Sequence, residues 1–214
     1  MRKMIFVGML LLAGVASATL TGLATDKIEP VWRGQANTTL QAWSFDTPDN
    51  PALVTLDANP FGTPSAEVHW PDTGFPKQTY WMTENGNGHK GVWRIYGDDY
   101  LLLHLPNSQE PNPAKIIWLQ ITYSAGSIDR KPQIQTLPQY ASIHAVQSTT
   151  IDSLYYHDIF RIVLKPNPPE EWIAIQPRDC TLYIDEIVVD TICIPEPATM
   201  LMLGLGIVLL RKFK

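Results

Sequence analysis

Turn clusters cut the middle of this chain at short intervals, and that spacing rules out most folds. Residues 46–51 read DTPDNP, 59–64 NPFGTP, 71–76 PDTGFP, 106–113 PNSQEPNP and 166–169 PNPP. Proline fixes φ and lacks a backbone donor, so neither a long helix nor a central strand can run through these clusters. The segments between them are short and rich in β-branched and aromatic residues. Examples are 39–45 (TLQAWSF), 100–105 (YLLLHL), 115–123 (KIIWLQITY), 159–164 (IFRIVL), 171–176 (EWIAIQ) and 181–189 (TLYIDEIVV). Each reads as a strand. Residues 85–91 (NGNGHKG) carry an Asn-Gly hairpin signal between a strand near 78–82 and its return at 92–96. Residues 134–147 read as one or two weaker strands, 148–158 as a polar stretch with room for a helical turn, and 19–34 as a leader or first edge strand. No ten-residue stretch between 19 and 194 keeps a 3.6-residue apolar period, and no internal repeat occurs. The pattern predicts an all-β fold: one jelly-roll-like β-sandwich of about eight to ten strands.

The two ends follow other rules. Met1, Arg2 and Lys3 are followed by an apolar stretch at 4–15 and by Ala16-Ser17-Ala18. A basic start, a short apolar core and an A-x-A site make a secretory signal peptide, residues 1–18, with cleavage after Ala18. At the other end, Pro195, Glu196 and Pro197 form a rigid turn. An uncharged apolar run, 198–210, follows, and Arg211, Lys212 and Lys214 close the chain within the basic end 211–214. An apolar run stopped by basic residues reads as a stop-transfer helix with its charges in the cytoplasm. Its thirteen residues, at about 1.5 Å each, cover roughly 20 Å, short of the ~30 Å hydrocarbon core. The sandwich is thus expected over 19–194, flanked by a signal helix and an apolar transmembrane helix.

The tail 195–214 resembles the PEP-CTERM sorting signals of Gram-negative bacteria, which carry a Pro-Glu-Pro triplet, an apolar helix and a short basic end. Pro195, Glu196 and Pro197 match the triplet residue for residue. The resemblance implies the secretion machinery and an exosortase as partners. It also implies transient residence in the inner membrane through the C-terminal helix, removal of the tail, and delivery to the cell surface, outer envelope or extracellular matrix. The middle of the chain resembles exported β-sandwich proteins of aquatic bacteria that bear such a tail, through Trp43-x-Phe45-Asp46-Thr47-Pro48, Asn59-Pro60-Phe61-Gly62 and the final 183–191 (YIDEIVVDT). That likeness brings no assigned activity. Residues 183–191 also resemble the last strand of jelly-roll carbohydrate-binding modules.

Charge narrows the partners. The full chain has 16 basic and 21 acidic residues. Without the two terminal signals, 11 basic and 20 acidic residues remain, a net of −9. Nucleic acid needs clustered Lys and Arg, so no nucleic-acid partner is expected. The two cysteines, Cys180 and Cys193, are separated by what reads as one strand. Thirteen steps of about 3.3 Å hold them far beyond disulfide reach, so they are expected to stay unpaired unless that strand breaks.

No catalytic motif stands out. There is no G-x-S-x-G elbow, no H-E-x-x-H helix and no Gly-rich phosphate loop. The five histidines are scattered singly. Glu170-Glu171 and Asp185-Glu186 are neighbours on a strand and point to opposite faces, so neither pair alone can flank a sugar. The chain is therefore expected not to be an enzyme, a glycan-active one being the remote alternative. Two binding sites are candidates. Asp46 after the first clear strand and Asp185 in the last could meet at a structural Ca2+ if the ends of the sandwich lie side by side. Trp81, Trp93 and Tyr96, around the hairpin, could stack on sugars or fill the core. The resulting expectation is an exported, non-catalytic envelope or matrix-associated protein. The alternative is a carbohydrate-binding module for exopolysaccharide.

Overall fold

In a computed structural model, the structure describes residues 28–70, 78–86, 88–110, 112–125, 131–137 and 141–194. The signal peptide 1–18 and the tail 195–214 lie outside the described residues. Twelve strands form two antiparallel sheets, and no helix occurs among the described residues. The larger sheet, A, is ordered β2 (Leu56–Ala58), β1 (Thr38–Trp43), β12 (Thr181–Ile194), β7 (Ala114–Ala125), β10 (Tyr155–Leu164), β9 (Ala141–Thr150). β5 (Lys90–Tyr96) also joins β12 and carries β4 (Tyr80–Glu84) on its other side. Sheet B is ordered β3 (Ser65–His69), β6 (Tyr100–Pro106), β11 (Glu170–Gln176), β8 (Gln133–Leu137). The all-β sandwich is the fold that the turn spacing requires.

Alternation explains the core. In β6, Leu101, Leu103 and Leu105 are buried while Tyr100, Leu102 and His104 are half-buried. In β11, Ile173 and Ile175 point the same way inward. They meet Ile117, Leu119, Ile121 and Tyr123 of β7 and Ile184, Ile187 and Val189 of β12 in one apolar cluster. Sheet A is also buried on its outer face, where Leu40, Ala42 and Val188 form a second small cluster. Part of the cover is the segment before β1. Arg33 makes a bidentate ion pair with buried Asp190, both N···O distances 2.6 Å, and the Trp118 indole donates to the Ile28 carbonyl at 3.1 Å. Residues 28–37 thus form a cover of irregular backbone and turns rather than an edge strand.

Two further expectations are corrected. Residues 148–158 hold no helical turn: β9 runs to Thr150, residues 151–154 turn, and β10 starts at Tyr155. The polar composition of β9 reflects exposure on both of its faces, which leaves no alternation to read. The last strand continues to Ile194, where it still pairs with Ala114. That single fourteen-residue strand keeps Cys180 and Cys193 apart, and both are free, Cys180 exposed and Cys193 buried.

Candidate functional site

β12 is served by two strands along one edge. β1 pairs with it from Ile187 to Ile192, and β5 takes over from Thr181 to Ile184. Asp185 lies at the handover, in a bulge where the β12–β7 register shifts between Ile184 and Glu186. Because β1 already occupies the edge beyond the bulge, the tip of the β4–β5 hairpin leaves the sheet and crosses its outer face. His89 at the tip places Nδ1 2.6 Å from Asp185 Oδ2 and Nε2 3.2 Å from Asp152 Oδ2. Its ring stacks on Tyr155 with centroids 3.5 Å apart. Asn85 donates to the Tyr155 hydroxyl at 3.0 Å. Tyr155 pairs with Ser124, on the face opposite the core residues Tyr123 and Tyr156.

Asp46 and Asp185 do come within electrostatic range of each other. Burial is the main force pushing the Asp185 carboxyl above its ordinary range; His89 opposes it, and the charges of Asp46 and Asp152 add to it. The partner that Asp185 meets is the His89 imidazole, while Asp46 accepts from Ser44 at 2.7 Å. Among the described residues, no three His, Cys, Asp or Glu side chains are arranged to hold one metal ion. The cluster is a clamp of side chains on a hairpin.

Burial raises the Tyr155 hydroxyl well above 10, so the folded chain holds this proton where the unfolded chain has lost it. The sign follows: this contribution is intact below pH 10 and is lost as pH rises past it. Wild-type stability should fall by about 1.4 kcal/mol per pH unit above 10 from this group alone. Tyr155→Phe should remove that slope; denaturant midpoints for both chains at pH 8, 10 and 11 measure the difference.

The aromatic residues around the hairpin are placed mainly in packing. Trp93 is only 5% exposed, within the core cluster, and Trp81 packs against that cluster and donates its indole N–H to the Phe45 carbonyl at 2.8 Å. Tyr96 is half-buried, with the Arg94 guanidinium 5.1 Å from its ring centroid. A different set of rings gathers on the outer face of sheet B. His69 stacks on its cross-strand partner Tyr100, centroids 5.2 Å apart and planes within 3°. His104 stacks on its partner Trp172 at 4.1 Å. Glu170 holds one backing histidine, its Oε2 2.9 Å from His104 Nε2, while Glu67 Oε2 only approaches the other, 3.4 Å from His69 Nε2. Tyr100 and Trp172 line a groove of about 590 Å3 floored by Leu102 and Ala174, with the amides of Gln135 and Gln176 beside them and Ile143 of β9 closing one side. No Lys, Arg, Asp or Glu lines it. Sequence reasoning missed this set because its members come from strands distant in the chain. The only local signal was the spacing of Tyr100 and His104 in β6 and of Trp172 and Gln176 in β11, each pair four residues apart on one face.

The end of β12 decides where the chain is sent. A family model, the PEP-CTERM protein-sorting motif, matches residues 194–212. The chain carries a PEP-CTERM sorting signal. The signal implies an exported, envelope-directed protein and exosortase-mediated sorting. The match begins at Ile194, the last residue of a strand that is paired on both sides, so the motif follows the sandwich with no linker. No curated protein and no solved structure matches the chain.

Proposed function

We propose that this protein is a non-catalytic glycan-binding module, which its PEP-CTERM signal delivers to the cell envelope or the surrounding polysaccharide matrix. The groove on sheet B carries this reading. It joins two aromatic surfaces, a low apolar floor and two amides, the combination that suits the apolar face and hydroxyl rim of a pyranose. The uncharged lining suits a neutral glycan better than a uronate or a sulfated chain. Exosortase would act at the junction after β12, and the sandwich would then leave the inner membrane intact.

Affinity electrophoresis against neutral and acidic exopolysaccharides tests the proposal. The exported protein should be retarded in the neutral gels, and Trp172→Ala should weaken retardation roughly tenfold, the equivalent of about 1.4 kcal/mol of lost stacking. Trp172 is half-buried on the outer face, so the fold should survive the change. Retardation that Trp172→Ala leaves unchanged, or none in any glycan, would remove the groove from the account.

A further inference from the structure

Sheet A ends on β9, and the backbone groups along its free edge have no strand beside them among the described residues. Edge strands of this kind are usually blunted by shortness, charge or proline. The other edges follow that rule. β2 has three residues and includes Asp57; β3 has five with Glu67; β4 has five with Glu84; β8 has five and follows Lys131 and Pro132. β9 is different. It is ten residues long, ASIHAVQSTT, without Pro, Gly, Asp, Glu, Lys or Arg. Residues 144–148 are exposed on both faces.

The one protective device on β9 is a bulge, and it does not repel. Ile159 faces Gln147 and Phe160 faces Ala145, which leaves Val146 as the extra residue, 49% exposed. Two more large apolar side chains are exposed among the residues that flank β9 in the chain. Leu137, 55% exposed, ends β8 nine residues before Val146, and Leu154, 45% exposed, lies eight residues after it in the turn to β10. In the chain the two are spaced almost equally about Val146. A two-fold axis at Val146 would set Val146 against Val146 of a second copy. It would also pair residues 142–145 of one copy with 147–150 of the other, on either side of the bulge.

We infer that β9 joins antiparallel to β9 of a second copy about a two-fold axis at Val146, continuing sheet A across the pair. A two-fold edge contact satisfies both free edges at once and closes the assembly at two copies. Charge selects the place. The chain carries a net −5, so two copies repel over most of their surfaces, and β9 is an uncharged strip long enough for pairing.

Sedimentation of the full chain in mild detergent provides the first test. The wild type should run as a dimer. Val146→Lys, which sets two like charges on the axis, should raise the dissociation constant by at least about tenfold without changing the unfolding midpoint measured at concentrations where both chains are monomeric. The apolar tail is the same in both chains. Association that Val146→Lys leaves intact is therefore not made by β9 and overturns the inference, as does a monomeric wild type. Crosslinking provides the second. In a Cys180→Ser background, Val146→Cys should form a disulfide-linked dimer under mild oxidation. Leu53→Cys, at a site 67% exposed elsewhere, serves as control. Crosslinking at 146 no faster than at 53 also overturns it.

Discussion

Replacing Lys115 by methionine is expected to cost about 3–5 kcal/mol, because it strands a carboxylate inside the sandwich. Lys115 on β7 and Glu171 on β11 are both fully buried, and their ion pair joins the inner faces of the two sheets. Cys193 and Leu164 flank Lys115 on the neighbouring strands. Cys193 Sγ lies 3.3 Å from Asn107 Oδ1, so the pair belongs to a polar plug at the end of the core from which the tail departs. Burial already pushes the Glu171 carboxyl upward, and Lys115 is the chief force holding it down. Without the lysine that rise grows. A carboxyl whose folded pKa is raised loses stability as pH rises through it, so the Lys115→Met penalty should be larger at pH 8 than at pH 5. The double change Lys115→Met with Glu171→Leu removes both charges and should return stability to within about 1 kcal/mol of wild type or above it. Denaturant unfolding of the three chains at both pH values measures this. A single variant as stable as wild type at pH 8 would show that the pair does not bear on stability.

Gly91→Ala should be nearly as damaging. Gly91 lies where β5 takes over the edge of β12 from β1, with φ at +69°. A Cβ there would sit 2.4 Å from the Phe45 carbonyl oxygen and 2.9 Å from Asp46 Cα, both backbone atoms with no rotamer to yield. The left-handed φ alone costs of order 1–3 kcal/mol, and the overlap forces the strands apart. The same Phe45 carbonyl accepts the Trp81 indole, so that bond is lost with the shift, and His89 at the hairpin tip is drawn away from Asp185. The expected total is about 3 kcal/mol or more. Gly88→Ala is the control: φ is +81°, but nothing lies within 4 Å, so only the left-handed backbone cost, of order 1–3 kcal/mol, remains without the overlap. Equal unfolding midpoints for the two variants would mean that the close approach at Phe45 is not maintained in solution.

The strands that alternate were legible, and β9 shows why the rest read only weakly. A strand advertises itself by having one wet and one dry face. β6 and β11 do so, as Leu101, Leu103, Leu105, Ile173 and Ile175 go in and polar or aromatic partners stay out. β9 is wet on both faces over most of its length, so its sequence carries only a weak strand signal. β1 is dry on both faces, because Trp43 faces the core while Leu40 and Ala42 pack with Val188 on the other side, and its apparent alternation gave no sign of that. Asp46 comes within electrostatic range of Asp185 because β1, which it follows, pairs with β12. The histidine that takes Asp185 comes from a hairpin whose path depends on which strand holds an edge 96 residues away.

The sequence by itself determined the things that need only local chemistry. Proline clusters and period-two apolar runs set an all-β chain, and the Pro-Glu-Pro turn, apolar run and basic end mark its tail for sorting. Local rules suffice there because a strand, a turn and a sorting motif are each read over a few residues. Which rings share a surface was decided only by the tertiary structure. Trp93 and Tyr96 stand close together in the chain, yet the pleat sends one into the core and the other to a half-buried site beneath Arg94. Tyr100 and Trp172 are 72 residues apart, and they line one groove because β11 pairs with β6 in the register that sets Trp172 beside His104. Register between distant strands is fixed by how two sheets fill a common core, and shifting one strand by a single residue would send every one of its rings to the opposite face.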